Sequence, residues 1–328
     1  MSANAAWNVR ESDYPRDGTM RQKLGFAIKF AMLAPSESEW QPWKLTVAER
    51  HADLLISVKP EEVLADPDRR HALFACGSAL VCLESAMRHF GCFGGLELFP
   101  DFSETEHVAR IHGGTGGGRG AREGMFFETL NPEAHETIRL GGPPVSRPGI
   151  ELLGLVGAGE RAWLEIAHSS TSRQRLLECA TLGERQKMPV RVEARLNPES
   201  GSPGVSFRSA GNRQLALHVT AREAGPDAGE DGPEEDADLG VWGVIKTKTD
   251  DKRGWLAAGQ VMARILLQAR ALGWSWMFFN QALRSRYARE ELRTGLGHKG
   301  FAQMILCFGR GGEELHNRLA SLRMEVSA

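Results

Sequence analysis

The spacing of hydrophobic residues near the start of the chain predicts a helix followed by two short strands. Apolar side chains recur every three to four residues from Leu24 to Ala31, with Leu33 widening the stripe, which is the period of a helix. This helix is expected to end near Pro35. The next two apolar segments, KLTVAE and ADLLISVKP, predict two short strands or a hairpin.

A longer helix is predicted over the segment DPDRRHALFACGSALVCLESAMRHFG. Its Asp-Pro start and its final Gly91 are typical of the two ends of a helix. The segment LELFP after it predicts a strand. Further along, LLECATLGE predicts a helix, and the alternation in RVEARL and RQLALHVTA predicts two strands.

The segment IELLGLVGAGERAWLEIA predicts a strand, a turn and a helix. Gly157, Gly159 and Ala162 match the Gly/Ala form of the dinucleotide-binding fingerprint. That fingerprint also needs an acidic residue about twenty positions on, and Glu178 fits this distance but lies in a predicted helix instead of at a strand end. Two interpretations stay open: a Rossmann-type nucleotide or methyl-donor site, or an ordinary strand-to-helix turn.

Two segments of the chain resemble each other. GSALVCLESAMRHFG at 77–91 and GQVMARILLQARALG at 259–273 both run from Gly to Gly, and Arg88 matches Arg270. Each is followed by an aromatic, strand-like segment, CFGGLELF or WSWMFFNQ. Amphipathic helices also resemble each other by chance, but we favour an internal duplication in which the two helices pack at the centre of two half-domains.

Two stretches of biased composition interrupt this pattern. GGTGGGRGAREG at 113–124 lacks the Lys-Ser/Thr of a P-loop, so a flexible loop is favoured over a phosphate site. EAGPDAGEDGPEEDAD at 223–238 is acidic and has almost no apolar residue to bury. We predict a flexible, solvated loop there.

Composition and charge narrow the class of protein. The 328 residues are 41% hydrophobic and carry a net charge of −2, so no basic surface for nucleic acid is expected. Neither a secretory signal nor a long apolar run is visible, which favours a cytoplasmic protein without a membrane segment. The five Cys form no C-x-x-C pair and the ten His no H-E-x-x-H motif, so we expect neither a disulfide framework nor a metal site.

Several motifs together carry a family resemblance. Residues 34–43, APSESEWQPW, resemble the A-P-S-x-x-N-x-Q-P-W segment that follows the first core helix of nitroreductase-fold flavoproteins. The stretches DPDRR and CGSAL at 66–70 and 76–80 are similar to D-P-x-x-R and C-G-A-A-L of the Acg-like nitroreductase branch. Near the end of the chain, WLAAGQ, the pair Asn280-Gln281 and AQMILCFG resemble W-L-R-A-G-Q, a following Gln and P-Q-M-L-L-R-x-G of that branch.

This resemblance implies an α+β fold of the nitroreductase type. Two related halves would be fused in one chain as an internal pseudo-dimer with central helices, and the chain would be a monomer or would form a homodimer. The first half would span residues 1–150 and the second residues 151–328.

The resemblance also implies an FMN site without a catalytic side chain, because the flavin N5 carries the two-electron transfer. Ser36 and the backbone beside it would lie against the isoalloxazine ring, and Gln41 would contact the ring or act as a structural brace. A cation such as Arg21, at the start of the first helix, would hold the phosphate. The residues expected to bind the cofactor are Arg21, Pro35, Ser36, Glu39, Gln41, Gln281 and Arg310.

Three hypotheses of function follow. The first is an FMN-dependent oxidoreductase that takes electrons from NADH or NADPH and acts on a small conjugated or electron-poor molecule. The second is a degenerate nitroreductase-fold protein that binds or sequesters flavin or another ligand, which is favoured by Glu39 where the family has Asn and by Cys307 where the branch has Arg. The third is the Rossmann-type enzyme built on GAGERA.

Overall fold

The computed structural model describes residues 9–36, 41–63, 66–101, 106–115, 121–130, 145–185, 241–280, 282–295 and 299–309. The first half of the chain forms α1 (Met20–Ala31), β1 (Trp43–Val47), β2 (His51–Ile56), α2 (Pro60–Val63), α3 (Arg70–His89), β3 (Phe93–Leu98), β4 (His107–Gly113) and α4 (Ala121–Leu130). The second half forms α5 (Arg147–Val156), β5 (Ala162–Ile166), α6 (Ser170–Arg185), β6 (Val241–Thr247), α7 (Lys252–Ala271), β7 (Ser275–Phe278), α8 (Arg286–Gly295) and β8 (Phe301–Gly309).

The strands form two four-stranded sheets, and every pair of neighbouring strands is antiparallel. The first sheet has the order β1-β2-β4-β3 and the second the order β5-β6-β8-β7. In both, a helix precedes the first strand and a 20-residue helix joins the second strand to the third. This mixture of helices and antiparallel sheets is compatible with the predicted α+β class.

Local signals explain where the long helices begin and end. Thr19 and Gln22 form a reciprocal capping box at the start of α1. Both carboxylate oxygens of Asp66 accept backbone N–H groups at the start of α3, from His71 at 3.1 Å and Ala72 at 2.9 Å. The segment after α3 turns at Gly91, whose φ of +66° lies in the left-handed region. The helices predicted before Pro35 and before Gly91 are confirmed, although α1 ends at Ala31, four residues before Pro35. The β1-β2 hairpin is confirmed as well.

Helices α3 and α7, the two segments that resemble each other, pack against one another at the centre of the molecule. Buried side chains from both halves surround them in one continuous hydrophobic core. The outer face of the second sheet carries a separate cluster that contains Trp242, Leu176 and Leu292 from β6, α6 and α8. The two halves therefore share one hydrophobic core.

The order of helix and strand around Gly157 is the reverse of the predicted order. The residues before Gly157 form helix α5 and those after Gly159 form strand β5, so the order is helix, turn and strand. Ser146 caps α5, with Pro148 in the first turn, and Gly149, Leu153 and Val156 are buried at helical spacing. A short apolar run fits a strand or a buried helix equally well, which is why the prediction was wrong.

The remaining predictions concern the Gly-rich loop, the acidic segment, two strands and the boundary between the halves. Residues 121–124 of the predicted Gly-rich loop begin helix α4, so that end of the loop is wrong. The acidic segment 223–238 and the predicted strands RVEARL and RQLALHVTA lie outside the described residues. The predicted boundary between residues 150 and 151 falls within α5. Of the helices that the structure describes, none is long and apolar enough to cross a membrane.

Candidate functional site

The segment that follows α1 is held by two side chains that bind its backbone. The hydroxyl of Ser78, on α3, donates to the carbonyl oxygen of Pro35 at 2.5 Å, and Ser78 is fully buried. Nε2 of Gln41 donates to the carbonyl oxygen of Met32 at 3.0 Å. In both hydrogen bonds the acceptor is a backbone carbonyl oxygen that follows the end of α1. The two bonds therefore fix the path of the chain between α1 and β1.

Gln41 occupies the position of a structural brace, one of the two roles expected for it. Its amide nitrogen is bound to Met32, while Pro35 is buried and Ser36 half-buried in the segment that Gln41 supports. Glu39, which also belongs to the predicted site, lies outside the described residues, as do Gln281 and Arg310. The described part of the predicted site is therefore Arg21, Pro35, Ser36 and Gln41.

Arg21 lies at the opposite end of α1 from this segment. Its Nη1 contacts Oε1 of Glu49 at 3.0 Å, and the two side chains are 61% and 76% exposed. An ion pair this exposed contributes about 1 kcal/mol or less, so a ligand phosphate can compete with Glu49 for the guanidinium. The N-terminus of α1 adds backbone N–H groups that favour an anion.

The described residues fit FMN in part. The cofactor needs polar partners at its ring and a cation or a helix N-terminus at its phosphate. Ser36 and Arg21 offer these groups at opposite ends of α1, whose 12 residues span about 18 Å. Only an extended ligand with its anionic group at one end can reach both. Such a ligand would have Pro35 and Ser36 near its ring and Arg21 near its phosphate.

The aromatic side chains of the segment after α7 pack into the two hydrophobic clusters. Trp274 is buried at 4% exposure, and Trp276 and Phe278 pack against the central core. Phe279 instead packs beside Trp242 in the second cluster, with ring centroids 4.7 Å apart. These aromatic side chains are therefore packing residues of the core.

A buried polar network joins the two halves, and it is made of residues that the sequence analysis quoted only as motif letters. Arg70, from the first half, donates through Nε to Oε1 of Gln303 at 2.9 Å and through Nη2 to the Gln303 carbonyl oxygen at 2.5 Å. Nε2 of Gln303 then donates to Oδ1 of Asp250 at 3.0 Å and to Oγ1 of Thr247 at 2.9 Å. Arg70 and Gln303 are 4% and 0% exposed.

Asp250 is the acceptor at the centre of this network. It receives Nε1 of Trp255 at 2.7 Å on one oxygen and Nη2 of Arg289 at 3.0 Å on the other. Burial alone would raise the pKa of Asp250, but the hydrogen bonds from Trp255 and Gln303 and the charge of Arg289 outweigh it and hold the pKa below its usual value. Asp250 is therefore ionised at neutral pH, and both of its oxygens accept hydrogen bonds within the network.

The sequence indicates that Arg70 and Gln303 need buried partners, but it does not identify those partners. Gln303 interrupts an apolar strand and Arg70 opens an apolar helix, and buried polar residues of this kind need partners. Nothing in the sequence indicates that the partner of Arg70 lies 233 positions away. The contact depends on how the two halves meet.

Three buried side-chain nitrogens have no partner among the described residues: Nη1 of Arg69, Nδ1 of His89 and Nδ2 of Asn280. Arg69 has φ of +61°, a left-handed conformation that is unfavourable for a residue with a side chain. Asn280 uses its other amide atom, Oδ1, to accept the backbone N–H of Ile305 at 2.8 Å. Asn280 therefore anchors the end of β7 to β8.

Cys307 does not replace the cation that the branch has at its position. Its side chain is 1% exposed, and burial raises the pKa of the thiol to about 12. The other four Cys are buried as well, and all five are free thiols. They behave as small apolar residues of the core.

The turn around Gly157 leaves no room for a nucleotide. A Cβ atom on Gly157 would lie 2.7 Å from Cβ of Leu164, and one on Gly159 would lie 2.6 Å from the carbonyl oxygen of Ala162. The turn thus packs against its own following strand. It also follows a helix and enters an antiparallel sheet, whereas the dinucleotide fingerprint needs a strand before it and a helix after it in a parallel sheet. The Rossmann-type hypothesis is wrong.

A cavity of about 400 Å³ lies on the outer face of the first sheet. Its lining residues are Lys44, Thr46, Asp53, Leu55, Pro100, Asp101, His107 and Arg110. Asp53 accepts Nε and Nη2 of Arg110 at 2.8 and 3.0 Å and contacts Nε2 of His107 at 3.1 Å, so its charge is neutralised within the sheet. Of the predicted cofactor residues that the structure describes, Arg21, Pro35, Ser36 and Gln41, none lines this cavity.

Comparison with known proteins supports the resemblance that the motifs suggested. The fold combines two antiparallel sheets with one shared helical core, and the family motifs map to the segment after α1 and to the network between the halves. No family model matches the chain. It is 24% identical over 316 residues to proteins named "Putative NAD(P)H nitroreductase" from two strains of Mycobacterium tuberculosis, CDC 1551 and H37Rv. The alignments cover 90% of this chain and 86% of each relative. The predicted resemblance to nitroreductases is confirmed as a distant one.

Proposed function

We propose that this chain is an FMN-dependent oxidoreductase of the nitroreductase type. NADH or NADPH would supply the electrons, and a small conjugated or electron-poor molecule would receive them. When bound, FMN supplies two-electron transfer at its N5 atom, so the protein needs no catalytic side chain. The distant similarity to the two mycobacterial proteins named as NAD(P)H nitroreductases supports the class of reaction.

The observation that carries the proposal is the segment Ala34–Ser36, which is held in one path by Ser78 and Gln41. A flavin ring needs backbone and hydroxyl partners in a fixed arrangement, because binding energy is lost when they must first be ordered. Pro35 and Ser36 would lie against the ring, and Arg21 with the N-terminus of α1 would hold the phosphate. Glu39, Gln281 and Arg310 are proposed as further contacts on the resemblance alone.

The matching order of the strands in the two sheets, with a 20-residue helix between the second and third strands of each, supports an internal duplication with a boundary near residue 150. On this proposal the single chain provides the two-sided environment that two subunits provide elsewhere in the family. The network from Arg70 to Gln303 and Asp250 would hold the halves in register around the site. The chain would act in the cytoplasm, as a monomeric pseudo-dimer or as a homodimer, without nucleic acid or membrane.

A visible absorption spectrum tests the proposal directly. The purified protein is measured alone, and again after incubation with FMN and removal of unbound flavin on a desalting column. Retained flavin bands, followed by bleaching with NADH or NADPH under anaerobic conditions, are the expected result. A protein that retains no flavin, or retains flavin that neither nicotinamide reduces, would contradict the proposed activity.

A second candidate is a protein of the same fold that binds or sequesters flavin or another ligand without turnover. Two contacts favour it: the Gln41 amide donates to Met32 and the Arg21 guanidinium to Glu49, so both groups have partners within the chain. The Glu39→Asn variant separates the candidates, because Asn restores a donor that a carboxylate lacks. Tighter FMN binding with reduction by nicotinamide supports the oxidoreductase, and tighter binding without reduction supports the sequestering protein.

A further inference from the structure

Ser78 is the buried residue whose contact bears most directly on the proposed cofactor segment. It lies on the central helix α3, one residue after the close contact that Gly77 makes with α7. Its side chain is 0% exposed, and its hydroxyl donates to the carbonyl oxygen of Pro35 at 2.5 Å across 43 residues of chain. A hydroxyl buried this completely needs such a partner, because an unpaired one would cost free energy.

The position of Ser78 on α3 makes this contact rigid. Helix α3 is buried along almost its whole length and is packed between α1 and α7. The carbonyl of Pro35 is the last backbone acceptor before Ser36, and proline has no N–H with which it could form a bond of its own. The Ser78 hydroxyl therefore fixes the peptide plane between Pro35 and Ser36 relative to the core of the molecule.

We propose that Ser78 is a positioning residue for the cofactor segment: its hydrogen bond to Pro35 sets the orientation in which Ser36 and the adjoining backbone meet the ligand. This inference rests on the proposed flavin function but names a residue that the family motifs do not assign to the site. Ser78 touches Pro35 and acts through it. Loss of the hydroxyl frees the peptide plane, so ordering it again would weaken binding by about tenfold.

The test compares Ser78→Ala with Ser85→Ala. Ser85 is the matched control because it is also buried, at 3% exposure, and lies two turns further along the same face of α3. FMN affinity is measured by fluorescence titration together with the shape of the bound flavin absorption band. We expect Ser78→Ala to raise the Kd about tenfold and to shift the band, and Ser85→Ala to leave both within twofold of wild type. Ser78→Thr, which keeps the hydroxyl, should restore most of the affinity.

A second measurement keeps this proposal separate from the proposed function. Hydrogen–deuterium exchange of the protein without added FMN follows the peptide that covers residues 32–43. Faster exchange there in Ser78→Ala than in Ser85→Ala supports the positioning role, even if the wild type binds no FMN and the proposed function fails. Equal exchange in the two variants, or equal losses of FMN affinity, would overturn it.

Discussion

Gly77 and Gly259 meet where the two central helices cross, and each packs against the backbone of the other's helix. A Cβ atom on Gly77 would lie 2.8 Å from the backbone nitrogen of Gln260 and closer still to the carbonyl oxygen of Leu256. A Cβ atom on Gly259 would lie 2.7 Å from Cα of Phe74. Phe74 and Leu256 each precede their own glycine by three residues, so the contact is reciprocal, like the self-complementary interface of a symmetric dimer.

This crossing predicts that either glycine is required for stability. We expect Gly77→Ala or Gly259→Ala to cost about 3 kcal/mol, because the added methyl group meets rigid backbone and the helices must separate. Urea denaturation measures the change. Gly25→Ala in α1 is the control: nothing lies within 4 Å of its Cβ position, and Ala should be more stable there by about 1 kcal/mol. Equal effects at all three positions would contradict the close crossing.

Removal of the Asp250 carboxylate should destabilise the contact between the halves. Asp250→Ala leaves the guanidinium of Arg289, whose side chain is 5% exposed, without its buried counter-ion, and we expect a loss of about 3 kcal/mol. Thermal unfolding provides the measurement. Glu84→Ala breaks the half-exposed ion pair with Arg88 on α3 and should cost about 0.5 kcal/mol or less. If the two variants were equally stable, Asp250 would not be the centre of the network.

Acid should weaken the folded state through Asp250 and Asp53. The pKa of Asp53 is also held below its usual value, since the hydrogen bond and charge of Arg110 outweigh the effect of burial. The unfolded chain therefore takes up protons before the folded chain does, and stability is lost as the pH falls below about 4. Melting temperatures between about pH 6 and pH 3 should fall less steeply for Asp250→Asn than for wild type. Parallel curves would exclude Asp250 as a cause of the acid sensitivity.

We expect only the first half to bind the cofactor, so that each chain binds one FMN. The first half has the eleven-residue segment 32–42 between α1 and β1, whereas the second has only residues 157–161 between α5 and β5. That shorter turn packs on its own strand at Gly157 and Gly159. Isothermal titration calorimetry should give a stoichiometry of one. A value of two would mean that the second half also binds flavin.

We expect Ser36 to act as a ligand contact and Gln41 as a structural brace. Gln41→Ala removes the hydrogen bond to Met32 and should lower the stability of the FMN-free protein by about 1 kcal/mol. Ser36→Ala should weaken FMN binding more than Gln41→Ala does, because its hydroxyl would be the ligand contact. Thermal melts of the FMN-free Gln41→Ala variant and flavin titrations of both variants measure these effects. A larger loss of FMN affinity for Gln41→Ala than for Ser36→Ala would reverse the two roles.

Elements with strong local signals could be predicted from the sequence alone. Helices α1 and α3 carry their own caps, at Thr19 and Asp66, and the hairpin of β1 and β2 is formed by adjacent segments. The segment at 150–167 was predicted in the wrong order because the short, mostly apolar run IELLGLV fits either period, and burial of one helical face decides between them. Part of the candidate site was also accessible, since the Pro35-Ser36 motif stands directly after a helix.

The sequence by itself determined the positions of α1, α3 and the β1-β2 hairpin, because caps, turns and periodicity act over a few residues. It also determined the likeness of the segments at 77–91 and 259–273. Only the tertiary structure decided that these helices cross at two glycines, that Arg70 meets Gln303, and that Ser78 holds Pro35. These contacts join residues far apart in the chain, and their geometry depends on how the shared core packs, which no local pattern encodes.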